Sequence, residues 1–146
     1  MPDMTELEAI GQACFALHAR MTARILSRAY DAALRPLGLK LPQFSILGAI
    51  AHGTGYSETA LADRLGLERT TLVRNLKVLA DKGWIEPVPE GRGLCHRLTP
   101  QGEAVLKAAI PLWREAQDRI EANLSTAEAE NARKAMRILC KAVYAG

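Results

Sequence analysis

A chain of 146 residues has room for one domain with its own core and little more, which excludes a two-domain enzyme. Hydrophobic residues make up 49% and charged residues 24%, the balance of a water-soluble globular protein and not of a disordered or fibrous one. Nineteen Lys and Arg against sixteen Asp and Glu leave a net charge of +3 with no basic tail, so any surface for a polyanion must be gathered by the fold.

From Thr5 to Leu37, apolar residues Ile10, Leu17, Met21, Ile25, Ala29 and Leu34 recur at helical spacing. The spacing predicts one long amphipathic helix, closed by Pro36 and Gly38. Pro42 suits the first turn of a second helix, with Phe44, Leu47, Ile50 and Ala51 as its apolar stripe, and His52-Gly53-Thr54-Gly55 breaks the chain. Ser57 then caps a short helix bearing Ala60, Leu61 and Leu65, which Gly66 stops. The next helix starts at once, from Glu68 or Arg69 to Lys82, with Leu72, Leu76 and Leu79 on one face and Gly83 at its end.

Trp84–Val88 reads as a strand, Pro89–Gly93 as a turn and Leu94–Leu98 as a returning strand, giving a β-hairpin with a basic tip. Thr99-Pro100 is a cap followed by proline at the first helical position, opening a helix with Val105, Ala109, Leu112, Ala116 and Ile120 on one side. Ser125 and Glu128 stand in capping-box spacing before a last helix carrying Ala132, Ala135, Met136, Leu139 and Val143. The fold class is therefore mainly α with a small β-hairpin wing. Residues 42–99 would form a winged helix-turn-helix, and residues 1–37 and 100–146 flanking helices. The apolar stripes of the outer helices exceed what one small domain can cover, which predicts a homodimer.

Two helices joined by the tight Gly66-Leu67 turn and followed by a hairpin make an arrangement suited to double-stranded DNA. With the leucines facing inward, Thr70, Arg74, Lys77 and Asp81 take the opposite face of the second helix, the candidate reader. Arg69, Thr70 and Thr71 stand at its N-terminus, where backbone N–H groups favour phosphate. Arg74 has the fork to pair with guanine O6 and N7 in the major groove, Lys77 suits a phosphate, and Arg92 at the hairpin tip suits a minor groove or a phosphate. A winged-helix module that binds another protein and leaves DNA alone is the alternative from a different class.

Enzyme chemistry finds no support: no Ser-His-Asp set, phosphate-binding glycine loop or carboxylate pair can be assembled. Cys14, Cys95 and Cys140 are odd in number and scattered, so neither a disulfide framework nor a zinc ribbon is indicated, and a reducing cytoplasm is expected with all three as buried structural residues. Cys14 with His18, and Cys95 with His96, lack the further ligands a metal needs, so no metal and no cofactor are expected. Asp3, Glu6 and Glu8 occupy the place of a basic secretory leader, and no apolar run approaches membrane-spanning length.

The run Leu61-Ala62-Asp63-Arg64-Leu65-Gly66-Leu67-Glu68-Arg69-Thr70-Thr71-Leu72-Val73-Arg74-Asn75-Leu76, then Lys82-Gly83-Trp84-Ile85 and Thr99-Pro100-Gln101-Gly102, resembles the MarR family of bacterial transcription regulators. Leu37-Gly38-Leu39 with Pro42-Gln43-Phe44 is similar to the family's entry to its second helix. The resemblance implies a two-fold dimer on a pseudo-palindromic operator, repression released by a small ligand or an oxidant, and an apolar crevice for an organic effector such as an aromatic acid, which Phe44 and Trp113 would line. Cys14-Phe15-Ala16-Leu17 resembles the start of the hydroperoxide-sensing branch, which implies a thiol-based alternative using Cys14. The chain departs from that branch at Ala16, which takes the place of the reactive cysteine, and at Leu41, which replaces a tyrosine. It departs from the family at Glu68, where a better capping residue is usual, and in a short wing with one arginine, Glu90-Gly91-Arg92-Gly93.

Overall fold

The computed structural model describes residues 1–53, 55–90 and 93–145. The expected first helix is two, α1 (Met4–Ala13) and α2 (Phe15–Leu34), separated by Cys14 in an extended conformation. Nothing on α1 is buried, so no packing holds it in line with α2, and the carbonyl left at the break, that of Gln12, accepts from His18 Nε2 at 3.0 Å. A 3-10 turn, Arg35–Leu37, then ends at Gly38, whose φ of 66° is left-handed.

Helix α3 (Leu41–His52) starts with Pro42 in its first turn and with Gln43 Oε1 accepting from the Lys40 N–H at 3.1 Å. The stripe expected on it is corrected. Ile46, Leu47, Ala49 and Ile50 are buried, Phe44 is half-buried and Ala51 is exposed. The reason is position: α2, α4 (Glu58–Leu65), α5 (Arg69–Asp81), β2 (Gly93–Leu98) and α6 (Pro100–Glu121) all pack on α3, so it is apolar on more than one side.

Ser57 Oγ accepts from the Ala60 N–H at 3.2 Å and Gly66, at φ 63°, closes α4, as the sequence implies. Leu61, Leu72, Leu76 and Leu79 join Leu34, Leu39, Ile46 and Leu47 in one core, each buried leucine supplying roughly 1.5–3 kcal/mol. Strand β1 (Ile85–Glu90) pairs antiparallel with β2 from Ile85↔Leu98 to Glu90↔Gly93, so pairing starts one residue later than expected, at Ile85, and runs further toward the tip. The Gly91-Arg92 tip, and with it the wing arginine, lies outside the described residues, as does Thr54.

Thr99 joins the hairpin to α6. Its N–H donates to the Trp84 carbonyl, its hydroxyl donates to the Gly83 carbonyl at 2.6 Å, and the same oxygen caps the Gly102 N–H at 3.1 Å. The first turn of α6 lies so close to Trp84 that a Cβ on Gly102 would stand 1.9 Å from the Trp84 carbonyl oxygen. The Thr-Pro-x-Gly motif is thus a packing requirement. Helix α6 lies against α2 and buries Ala109 fully in the core, and α7 (Thr126–Tyr144) opens with the expected Ser125–Glu128 box, which holds the Glu128 carboxylate below its ordinary range. Of α7 only Ala129 is buried.

Candidate nucleic-acid interface

Leu72, Leu76 and Leu79 bury one side of α5 and thereby turn Arg69, Thr70, Arg74, Lys77 and Asp81 to solvent; Thr71 is half-buried. Among the helices of eight or more residues, α1, α4, α6 and α7 begin with a side-chain oxygen on a first-turn N–H. Helix α5 does not: its N-cap is Glu68, and no side-chain bond caps it. Its first N–H groups therefore remain free to meet an oxyanion, in the field of the helix dipole.

Lys77 Nζ is 2.8 Å from Asp81 Oδ2, one turn further along the same face. Both side chains are well exposed, so the pair is worth about 0.3–0.5 kcal/mol and can be exchanged for a phosphate. Arg74 has no ion-pair partner among the described residues. At the hairpin, Arg97 Nε is 2.6 Å from Glu86 Oε1 across the strands, an ion pair that ties the base of the wing.

A polar tether that the sequence does not announce holds the helix in place. Gln43, buried in α3, donates from Nε2 to Asn75 Oδ1 at 3.3 Å, and Asn75 Nδ2 donates to the Thr71 carbonyl at 2.9 Å. The C-terminal end is held by Lys82, whose Nζ donates to the Gly38 carbonyl at 2.6 Å and lies 4.6 Å from the Trp84 ring centre.

Phe44 and Trp113 do meet, as neighbours in a stack: Tyr30–Trp113 and Phe44–Trp113 ring centres are each 6.3 Å apart at small interplanar angles. The Tyr30 hydroxyl donates to Gln117 Oε1, Gln117 Nε2 donates to Glu121 Oε1 at 2.7 Å, and Arg133 donates to the same oxygen at 2.8 Å. Those bonds, the Gln117 amide first, hold Glu121 below the ordinary carboxylate range, while burial and the Glu121 charge push the Tyr30 phenol up. Neither the cleft beside Lys40 nor the one between Ile50 and Ile110 is lined by Phe44 or Trp113.

Of the three cysteines expected to be buried, one is. Cys95 is buried, Cys14 is half-buried at the helix break, and Cys140 is exposed on α7, because the outer helices beside Cys14 and around Cys140 lack packing on one side. No cluster of metal-ligating side chains occurs among the described residues, and no helix is long and apolar enough to cross a membrane.

These elements define a winged helix-turn-helix with an exposed, partly basic second helix, carried on long flanking helices. A sequence model of the MarR family matches residues 37–93. The HTH-type transcriptional repressor Rv2887 of Mycobacterium tuberculosis is 34% identical over 104 residues, 69% of this chain and 75% of that one. The crystal structure of the M. tuberculosis transcriptional regulator MosR superposes with a TM-score of 0.84 at 36% identity, covering 93% of this chain and 99% of that one. MosR in complex with DNA gives 0.79 at 37% identity, covering 90% and 97%. Rv2887 in complex with salicylic acid gives 0.68 at 28%, covering 87% and 96%. The chain belongs to the MarR family, and these relatives are transcription regulators and not enzymes.

Proposed function

We propose that the protein is a homodimeric, sequence-specific repressor that binds double-stranded DNA and is released by a small organic acid. The carrying observation is α5: an exposed helix whose first N–H groups lack a side-chain cap, flanked by Arg69, Thr70 and Thr71, with Arg74 on its open face. In this reading the first turn seats a phosphate, Arg74 reads a base edge, Lys77 leaves Asp81 for a second phosphate, and Arg92 extends the contact from the wing. The DNA complex of MosR and the repressor Rv2887 support it.

The apolar outer helices support the dimer, and the salicylic acid complex of Rv2887 supports an aromatic acid as effector. Such an acid would enter the crevice between the flanking helices and the winged part, against Phe44 and Trp113. The test is footprinting on the DNA flanking the protein's own gene, across a salt series, with and without salicylate. Expected are a protected palindrome with half-sites about 10 bp apart, a steep loss of affinity with salt, and release by salicylate. Absence of protection even at low salt overturns the reading.

A further inference from the structure

Where α2 runs into α3 the surface gathers cations that α5 does not use. Arg28, Asp31 and Arg35 recur on one face of α2 and the 3-10 turn that extends it, and with Lys40, Gly38 and Leu39 they line a cleft of about 560 Å³. That volume lies within the range of small-molecule sites. Arg28, Arg35 and Lys40 are exposed, and among the described residues none has a carboxylate within ion-pair distance. The one acidic group, Asp31, is already engaged: its Oδ1 accepts from the Leu41 N–H at 2.7 Å, the bond that starts α3. A fourth cation, Lys82, reaches the same turn through the Gly38 carbonyl.

Three cations around one engaged carboxylate leave the cleft with an unbalanced positive charge, and buried Leu39 gives it an apolar wall. Like charges gathered in a concave surface raise the local potential and draw an anion. Guanidinium groups are also suited to grip an oxyanion through paired N–H donors. Tyr30 reaches from α2 to Gln117 and Trp113 of α6, and neither it nor Phe44 nor Trp113 lines this cleft, which is therefore separate from the crevice assigned to the effector.

The geometry points to an oxyanion site in this cleft, one that takes a phosphate or carboxylate group between Arg28, Arg35 and Lys40. Its source is either a free small anion or a backbone phosphate of bound DNA. The inference goes beyond the proposed function, because neither the reading helix nor the effector crevice involves these residues.

Two measurements on the full chain, wild type and Arg28→Gln/Arg35→Gln, test it. Both arginines are exposed, and thermal melts check that the variant folds. In the first, amide NMR follows a titration with inorganic phosphate. A free-anion site gives saturable shifts at Gly38, Leu39 and Lys40 that weaken at least tenfold in the variant. In the second, binding to a fixed duplex is measured across a salt series. A DNA phosphate in the cleft makes the variant's slope of log K against log salt shallower by about 0.9 for each phosphate that is no longer neutralised. Either result supports the site and names its source. Shifts absent from those amides together with an unchanged slope overturn it, and the first measurement stands even if the chain binds no DNA.

Discussion

Arg74 is the residue on which specificity is expected to turn, because the inward leucines fix its direction and no carboxylate among the described residues neutralises it. A bidentate contact to guanine is worth about 1–3 kcal/mol of discrimination, so Arg74→Ala should weaken operator binding by roughly ten- to a hundredfold while binding to random duplex changes little. Parallel titrations of the two duplexes decide this, and equal losses on both would assign Arg74 to phosphate alone. His96 carries a different prediction. It is buried on β2, and burial pushes its pKa below the ordinary value, with Glu58 partly opposing. The unfolded chain therefore takes up the proton at a higher pH than the folded one, so stability is full above about pH 6.5 and falls as pH drops toward the folded pKa. Thermal melts from about pH 7.5 to 5 should show this decline, and His96→Gln should flatten it. A decline equally steep in the variant would place the effect elsewhere.

At the scale of the elements, what was legible in the sequence is what is local. Ser57, Thr99 and Ser125 each cap a helix through a residue three positions away, and Gly66 and Gly83 end helices with left-handed backbones, so those boundaries follow from spacing alone. The break at Cys14 was not legible, since a periodic pattern does not reveal that one stretch of it has no neighbour to pack on. Nor was the Gln43–Asn75 tether, whose partners stand 32 positions apart and meet only once α3 and α5 are packed. The exposed face of α5 was readable from the leucine period and the weak cap from Glu68 at its start, but the Lys77–Asp81 pair required geometry. The tether yields a prediction. Gln43→Met keeps the volume but leaves Asn75 Oδ1 and the Lys40 N–H without their partner, a cost of about 1–3 kcal/mol. Urea denaturation should show that loss, and a double-mutant cycle with Asn75→Ala should be non-additive. Additive losses would mean that the two side chains act independently.

The whole molecule is more apolar outside than one folded chain should be. Ile10, Phe15, Met21 and Ile25 on the N-terminal helices, and Met136, Ile138 and Val143 on α7, are each more than half exposed. Large apolar patches of this kind mark contact surfaces, and a two-fold pairing of the outer helices would cover both ends with one interface. The arrangement also bears on DNA binding. One winged unit can engage one half-site, whereas two held at fixed separation gain the effective concentration of a linked pair. Placing a charge in the patch separates these effects from folding, because an exposed side chain contributes little to the stability of a single chain. Ile25→Glu with Met136→Glu should leave the circular dichroism spectrum and the α3 core intact, shift the mass by light scattering from two chains to one, and weaken operator binding more than tenfold. Binding to an isolated half-site should then match that of the wild type. A variant that stays dimeric would show that the interface lies on other faces, and a monomeric variant with undiminished operator affinity would show that pairing has no part in recognition.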